Sequence, residues 1–225
     1  PRRYSVKQRS SLMLCVVDYG VGNLYSLCSS LAAVGADAVV SGDPEVIAKA
    51  DKIILPGVGA FGDAAAKLRE NGLDKLIIER ANAGVPLMGI CLGMQMLFDE
   101  SHEFGCHKGL GLIPGKVISM DGVIAPELKI PQMGWNALHF PNEELKASSP
   151  VFCNIDEGEF VYFVHSYYAS ECEADTVAVC DCGVPITAAV VRGNVMGCQF
   201  HPEKSSKAGL KILKNFCEGD FGGAK

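Results

Sequence analysis

The stretch "VPLMGICLGMQMLF", from Val85 to Phe98, decides how this chain folds and what chemistry it can carry. An apolar run leads into a cysteine that has a glycine two residues before it and another two residues after it, and a helix-like segment follows. Small residues at Gly89 and Gly93 permit a sharp strand-to-helix turn that holds the central side chain in a strained conformation. The pattern predicts a nucleophile elbow with Cys91 at its tip. The alternative is a packed core cysteine between two turn glycines.

A helix that begins directly after Cys91 would point its first N–H groups and the positive end of its dipole at the sulfur. Both favour the thiolate, which is the reactive form of cysteine. The N–H of Leu92 would also be placed to bind an oxyanion. A second turn, "LPGVG", follows another predicted strand, and Gly57 and Gly59 let the backbone N–H of Val58 turn inward. Together the N–H groups of Val58 and Leu92 would form an oxyanion hole.

A cysteine nucleophile needs a base, and His201 is the best candidate. It follows the apolar strand "VMGCQF" and begins the segment "HPEKS". Residues two apart along an extended chain point to the same side, so the carboxylate of Glu203 can orient the imidazole and fix its tautomer. The three residues would form a Cys-His-Glu triad, with Glu203 as the orienting acid.

The other four histidines carry weaker signals. His102 and His107 lie in the polar loop "SHEFGCHKG" with Cys106 between them, but no second pair of ligands with zinc spacing accompanies them, so we expect no metal site. His139 is expected on a strand or at the surface. His165, in "VYFVHSYY", is expected to be hydrogen-bonded within the fold, and the alternative is a place on the wall of the site.

Along the whole chain, short β-type runs alternate with helical patterns up to about residue 105. Strands with few helices are expected after that, among them "VFCNI" (151–155) and "EFVYFVHSYYAS" (159–170). Alternating strands and crossover helices predict an α/β fold in three layers, with a mostly parallel central sheet flanked by helices. The C-terminal half is predicted to add antiparallel strands at one edge. We expect a disordered lead-in or linker over residues 1–11, a single domain over 12–218 and a flexible tail over 219–225.

Composition excludes several classes of protein. The formal net charge of −6 argues against nucleic-acid binding or a basic membrane contact. No apolar run approaches the ~20 residues that span a bilayer. The ten cysteines, in a chain of 225 residues without a secretory signal, are expected to be reduced thiols in the cytoplasm.

The motifs together resemble the class I, triad-type glutamine amidotransferases, whose fold is flavodoxin-like. The resemblance covers about Met13 to Phe216. Within that class the finer pattern is similar to the glutaminase subunits of imidazole glycerol phosphate synthase. The segments that carry it are "DYGVGNLYS" (18–26), "PGVGAF" (56–61), "GICLGMQMLF" (89–98), "MGWN" (133–136), "FVHSYY" (163–168) and "HPEKS" (201–205).

The resemblance implies hydrolysis of L-glutamine to glutamate and ammonia through a glutamyl thioester, without a cofactor. The ammonia would pass to a (β/α)8-barrel cyclase subunit for histidine biosynthesis. Residues that the resemblance assigns to glutamine binding are Gly57, Gly59, Gln95, Ser166 and Tyr167. Residues that it places toward the cyclase partner are Asn23, Trp135 and Lys204.

One position departs from this family, which usually has histidine where Gln132 precedes "MGWN"; we expect altered partner contacts there. Three other interpretations remain open at this stage. Another triad glutaminase, such as the subunit that supplies pyridoxal phosphate synthase, typically has "PGGES" at the oxyanion turn. A dinucleotide-binding turn in "DYGVGNLYS" would need glycine in place of Tyr25. A non-catalytic relative would keep the fold as a scaffold, although all three triad positions are filled.

Overall fold

The computed structural model describes residues 12–222, so the expected lead-in and the last three residues of the expected tail lie outside the described residues. The strands in this range are β1 (Leu14–Val17), β2 (Ala38–Ser41), β3 (Lys52–Gly57), β4 (Leu87–Cys91), β5 (Glu100–Ser101), β6 (His107–Lys108), β7 (Lys116–Ser119), β8 (Gln132–Ala137), β9 (Phe160–His165), β10 (Tyr167–Ser170), β11 (Thr176–Asp181), β12 (Pro185–Arg192) and β13 (Val195–Cys198). The helices are α1 (Leu24–Ala33), α2 (Pro44–Ile47), α3 (Phe61–Glu70), α4 (Leu73–Asn82), α5 (Leu92–Gln95), α6 (Glu143–Ser148) and α7 (Ser206–Glu218), and a 3-10 helix spans Pro202–Lys204.

The central sheet has seven strands in the order β11-β12-β13-β4-β3-β1-β2. Five neighbouring strands, from β13 to β2, run parallel, and β12 and β11 continue the sheet with antiparallel pairings at one edge. The prediction of a parallel sheet extended by antiparallel C-terminal strands is confirmed. The carboxyl ends of β3 and β4 lie side by side, and this edge is where ligands bind in open α/β sheets.

Both faces of this sheet are covered by helices. One hydrophobic core packs α1 and α7 against the sheet through residues such as Leu31, Ile212 and Phe216, and the other packs α3 and α4 through residues such as Leu68 and Ile77. The strands β1, β3, β4 and β13 are buried along their whole length, as expected for parallel strands covered on both sides. The three-layer α/β architecture is confirmed. None of the helices in residues 12–222 has the length and apolar composition needed to cross a bilayer.

The end of α7 is attached to the central sheet by a buried lysine. Lys52, at the start of β3, donates its ammonium hydrogens to the carbonyl oxygens of Phe216, Cys217 and Gly219 at 2.8–2.9 Å. These carbonyls lie in the last turn and just beyond the helix, where no intrahelical donor reaches them and a cation is favourable. The side chain of Lys52 therefore fixes the C-terminal helix to the third strand.

Two smaller sheets, which the sequence did not predict as separate, stand beside the central one: β10-β7-β5-β6 and β8-β9. The run "EFVYFVHSYYAS", expected as one strand, is divided at Ser166 between these two sheets. The carbonyl of Ser166 accepts the N–H of Met120 and ties the break to the end of β7. This interruption turns Ser166 and Tyr167 toward the carboxyl edge of the central sheet.

Two local predictions are wrong, and the helix predicted after Cys91 is present but short. The segment "VFCNI" (151–155) is a turn, because the hydroxyl of Ser149 accepts the N–H groups of Val151 and Phe152. The loop 101–109 contains the short hairpin β5–β6. The helix after Cys91 is only one turn long, since the carbonyls of Met96, Leu97 and Phe98 accept N–H groups of residues 110–113 instead of continuing the helix.

Candidate active site

Cys91 occupies the sharp turn that the sequence predicts. Its backbone has φ 54° and ψ −111°, a strained conformation for a residue with a side chain. A β-carbon at Gly89 would lie 2.5 Å from the carbonyl oxygen of Gly93, and one at Gly93 would collide with the carbonyl oxygen of Leu55. Both positions therefore require glycine, because each lies against a backbone carbonyl that would collide with a side chain. The alternative of an ordinary core cysteine does not account for this geometry.

The second predicted turn lies directly beside the first. In the parallel pairing of β3 and β4, Gly57 is in register with Cys91. Val58 and Leu92, the residues that follow each strand end, border the same cavity as Cys91. The hydroxyl of Tyr19 donates to the carbonyl of Pro56 at 2.8 Å and so holds the turn from below. The use of the Val58 and Leu92 N–H groups as an oxyanion hole stays a prediction.

His201 and Glu203 form a buried pair next to the cysteine. Nδ1 of His201 lies 2.8 Å from Oε1 of Glu203, and the two side chains are 3% and 4% exposed. Burial alone would lower the pKa of His201, but its interactions with Cys91 and with the Glu203 carboxylate more than offset burial and raise the pKa to about 9. Since Glu203 occupies Nδ1, Nε2 is the ring nitrogen left to serve Cys91, and it is buried without a hydrogen-bond partner among the described residues. The structure thus brings together the three residues of the predicted triad.

The cysteine opens into a cavity of about 350 Å³, near the lower limit of small-molecule pockets. Of the predicted residues, those that line it are Val58, Gly59, Cys91, Leu92, Gln95, Ser166, Tyr167 and His201. Gly57 and Glu203 border instead a small void of about 10 Å³ behind the triad, together with Asn23. A β-carbon at Gly57 would press against the N of Gly93 and the hydroxyl of Tyr19, so this glycine keeps the two turns in contact.

Gln95 is almost completely buried, one turn beyond Cys91. Its Nε2 donates to the main-chain carbonyl of Tyr167 at 3.0 Å and to Oε1 of Gln199 at 2.9 Å. An amide nitrogen has two hydrogens to donate, so both are used within the protein. What Gln95 can offer to a ligand is its carbonyl oxygen.

His165 also lines the cavity, and its ring is buried. Burial lowers its pKa to about 4, the positive charge of His201 acts in the same direction, and a hydrogen bond to the carbonyl of Tyr167 at 2.8 Å acts against them. The ring is therefore neutral at neutral pH and carries its hydrogen on Nδ1, the atom that faces this carbonyl. The predicted hydrogen bond is confirmed, and so is the alternative place on the cavity wall.

Sequence reasoning missed four residues that border the cavity: Glu103, Phe104, Pro131 and Val164. Glu103 is the informative one, because it is the only carboxylate among the described residues that line this cavity. Its Oε2 accepts the N–H of Phe61, the first residue of α3, at 2.6 Å. The polar loop that holds Glu103 has no periodic pattern, and its only sequence signal is the charge itself.

The residues expected to face a partner lie close to the triad. The ring of Trp135, half exposed, packs edge-on against Tyr162 at 6.1 Å between ring centroids, and the ammonium of Lys204 lies 5.7 Å from the same tyrosine ring. The carbonyl of Tyr162 accepts the N–H of His201 at 2.9 Å. Asn23 is exposed and caps the start of α1.

Gln132 is not where the sequence suggested. It is 8% exposed, lies opposite His165 in the β8–β9 pairing, and its Nε2 is 3.6 Å from the sulfur of Cys180. The pleat of β8 turns Met133 and Trp135 outward instead. The expectation of altered partner contacts at Gln132 is therefore not supported by its side-chain position.

The donor groups in the 100–108 loop combine differently from what the sequence suggested. Glu100, His102 and Cys106 place their ligand atoms within 4.8 Å of one another on the exposed hairpin. His107 points elsewhere, against Phe61 in α3. The hairpin is connected to the cavity through Glu103, but none of these three donors lines the cavity.

Comparison with known proteins extends over nearly the whole chain. The family model described as glutamine amidotransferase class-I matches residues 15–219. The imidazole glycerol phosphate synthase subunit HisH of Syntrophotalea carbinolica is 48% identical over 208 residues, which cover 91% of this chain and 98% of the relative. The protein of the same name from Sulfurimonas denitrificans is 49% identical over 206 residues, 91% of this chain and 97% of the relative.

Solved structures with lower identity share the fold. The structure of PurLQS from Thermotoga maritima includes a chain that matches with a TM-score of 0.68 and 23% identity, covering 92% of this chain and 97% of that one. The crystal structure of a glutamine amidotransferase matches with a TM-score of 0.68 and 19% identity, covering 90% of this chain and 98% of that one. At these identities the likeness concerns the fold alone.

Proposed function

The chain belongs to the class-I glutamine amidotransferases and, within them, to the family of imidazole glycerol phosphate synthase HisH subunits; from this membership we propose that Cys91, His201 and Glu203 release ammonia from L-glutamine for a cyclase partner. The observation that carries the proposal is the strained Cys91 turn beside a buried His201–Glu203 pair, with Cys91 and His201 lining one cavity.

In the first half-reaction the Cys91 thiolate attacks the side-chain amide carbon of glutamine. The carbonyl π bond becomes an oxyanion, which the N–H groups of Val58 and Leu92 stabilise. His201 gives its proton to the nitrogen, the C–N bond breaks, and ammonia leaves behind a glutamyl thioester on Cys91. A raised pKa of His201 supports this step, because the imidazole is then protonated at neutral pH.

In the second half-reaction water attacks the thioester. His201, now neutral, removes a proton from the water, a second oxyanion forms in the same place, and the C–S bond breaks to give glutamate. Cys91 leaves as a thiolate and His201 is again protonated, so the site returns to its starting state. Glu203 holds the imidazole in one tautomer throughout. The reaction requires no cofactor, since each proton and electron pair is supplied by these residues, glutamine and water.

The cavity offers several polar groups to glutamine. Glu103 is placed to pair with the α-ammonium group, because it supplies the only carboxylate on the described part of the wall. The carbonyl oxygen of Gln95, neutral His165 and the Ser166–Tyr167 strand break provide further polar contacts, with Gly57 and Gly59 allowing the backbone to approach. The volume of about 350 Å³ suits one amino acid.

We propose that the surface around Trp135, Tyr162 and Lys204, with Asn23 across the triad, binds a (β/α)8-barrel cyclase subunit. A half-exposed tryptophan such as Trp135 is typical of interface anchors, since aromatic side chains are enriched at protein–protein interfaces. The carbonyl of Tyr162 contacts the His201 backbone directly, so a partner bound here lies beside the point of ammonia release. We place the activity in the cytoplasm, because a nucleophilic thiol persists most readily in a reducing compartment.

The substitution Cys91→Ser tests the proposal. With the cyclase partner present, it is expected to abolish glutamate release, because a serine hydroxyl is scarcely ionised in a site built for a thiolate. Product formation from added ammonia at raised pH should continue, since that chemistry belongs to the cyclase. Cys153→Ser, at an exposed cysteine away from the cavity, is the matched control and should keep both activities. Glutamine-dependent turnover by the Cys91→Ser protein would overturn the proposal.

A further inference from the structure

We propose that Gln199 is a positioning residue for the nucleophile: its buried side-chain amide donates a hydrogen bond to the sulfur of Cys91 and holds Gln95 with its other end. This rests on the proposed function, because it gives Gln199 a role in the chemistry of Cys91. Gln199 is completely buried and follows β13, two residues before His201. It does not line the cavity, so it acts through its two neighbours and not on the ligand.

Gln95 and Gln199 belong to one continuous series of hydrogen bonds. Nε2 of Gln95 donates to the Tyr167 carbonyl and to Oε1 of Gln199, and Nε2 of Gln199 lies 3.7 Å from the sulfur of Cys91. The backbone N–H of Gln199 is fixed as well, since it donates to the carbonyl of Ala188 at 2.8 Å. Nothing in the position of Gln199 depends on solvent.

The carbonyl of Tyr167 determines which groups in this series of hydrogen bonds donate and which accept. A main-chain carbonyl can only accept, so the group of Gln95 that faces Tyr167 must be its NH2. That NH2 also faces the Gln199 amide and needs an acceptor there, which must be the Gln199 oxygen. The Gln199 NH2 then has to point at Cys91. The two ends of an amide look alike in shape, but this sequence of obligatory roles leaves one orientation.

A donor aimed at the sulfur favours the thiolate, because hydrogen bonds to the charged form stabilise it. The ionisable groups around Cys91 are His201 after β13, with Glu203 behind it, Cys198 within β13, and Tyr19 after β1. Among these the His201 proton must be given to the leaving nitrogen. Gln199 keeps its hydrogens, so it stabilises the sulfur anion in every state of the reaction that contains one.

Two variants separate the two contacts. Gln199→Glu keeps an oxygen for Gln95 and replaces the NH2 that faces Cys91, whereas Gln199→Met, of similar length, removes both. The pH dependence of iodoacetamide alkylation at Cys91, followed by peptide mass spectrometry with exposed Cys153 as internal reference, measures the thiolate without requiring turnover. We expect the pH midpoint at Cys91 to rise by about one unit in both variants, equivalent to about tenfold less thiolate at neutral pH.

Turnover provides a second readout. With the cyclase partner and glutamine, Gln199→Glu should lower kcat about tenfold with little change in KM, because Gln95 is still held. Gln199→Met should lower kcat and also raise KM. Gln132→Glu is the matched control, since Gln132 is another buried glutamine with its amide near a cysteine sulfur, at Cys180. It should leave the alkylation midpoint of Cys91 unchanged.

Thermal unfolding of each variant shows whether it is folded. If Gln199→Met does not fold, the nearly isosteric Gln199→Glu still provides the test. An unchanged Cys91 midpoint in folded Gln199→Glu would overturn this inference, and normal turnover in both variants would do the same. Neither result would affect the proposed function, which fails only if Cys91→Ser retains glutamine turnover.

Discussion

Nδ1 of His201 and Oε1 of Glu203 are joined by a 2.8 Å hydrogen bond at a place that solvent scarcely reaches. The two residues are separated only by Pro202, which begins the 3-10 helix. The hydroxyl of Ser205 donates to the carbonyl of His201 at 2.6 Å and accepts the N–H of Tyr162 at 3.0 Å, so the short segment is held from both sides. The imidazole therefore has one orientation available.

Glu203→Gln is expected to slow glutamine hydrolysis by about 10²-fold, less than the ~10⁴-fold that a serine triad loses without its carboxylate, because a thiol ionises more readily than a hydroxyl. The alkaline limb of the pH–rate profile should move to lower pH, since Glu203 helps raise the pKa of His201 to about 9. Glutamate release measured across this pH range, with His201→Ala for comparison, checks both effects. If Glu203→Gln were as inactive as His201→Ala, orientation alone would not describe its role.

Gly93→Ala is expected to destabilise the fold and eliminate hydrolysis, because the new methyl group would collide with the carbonyl oxygen of Leu55. Overpacking of this kind costs roughly 1–3 kcal/mol or more when only backbone is available to move. Gly35→Ala is the control: its φ is +80° with nothing within 4 Å of the added carbon, so only the cost of about 1–2 kcal/mol for left-handed backbone applies. Urea unfolding and glutamate release distinguish them. Equal effects at the two glycines would contradict the steric explanation.

His165→Gln is expected to weaken the dependence of stability on acid. The pKa of His165 is lowered to about 4 in the folded protein from its ordinary 6.5, so between these values the unfolded chain binds a proton that the folded chain does not. Stability is therefore lost as pH falls from about 6.5 to 4, by on the order of 3 kcal/mol at the lower end. Denaturant midpoints across this range should fall less steeply in His165→Gln. A slope in His165→Gln identical to that of the unsubstituted protein would refute the assignment.

Glu103→Gln should raise KM for glutamine about 10- to 100-fold with a smaller change in kcat, because the α-ammonium group loses its counter-charge while the amide oxygen still accepts the N–H of Phe61. Glu173→Gln, an acidic residue outside this cavity, is the control and should change neither constant. Steady-state kinetics with glutamine at fixed cyclase concentration provide the measurement. A loss confined to kcat would place Glu103 in the chemistry and not in recognition.

The elbow and the His-x-Glu pair could be predicted from the sequence because their geometry is local. Gly89 passes close to the carbonyl of Gly93 only four residues on, and a single residue separates His201 from Glu203, although this pair meets through a 3-10 turn and not along the extended chain that the spacing suggested. The meeting of the two segments also follows from pattern, since parallel strands bring their carboxyl ends to one edge. The sequence therefore predicts those parts of the site whose geometry depends on short spacings.

The remaining parts of the site depend on contacts between distant segments. Glu103 reaches the cavity only because a hairpin folds back against α3, and no periodic pattern in the sequence predicts this contact. Gln199 lies inside the apolar run "VMGCQF", where its partners at Cys91 and Gln95 are more than 100 residues away. The error at "VFCNI" has a similar cause. Buried Val151 and Phe152 fit a strand pattern, but their N–H groups donate to the hydroxyl of Ser149 and the segment forms a turn.

The attachment of α7 to Lys52 has a consequence for the chain as it is synthesised. Cys91 and the strands around it leave the ribosome first, and His201 and Glu203 follow about 110 residues later. Helix α7 comes directly after them. It is fixed in place only when the carbonyls of Phe216, Cys217 and Gly219 accept hydrogen bonds from the Lys52 ammonium. A nascent chain thus carries the thiol long before it has the base. Glutamine cleavage is therefore withheld from a nascent chain until the segment with His201 and Glu203 has been made and α7 has packed against the sheet.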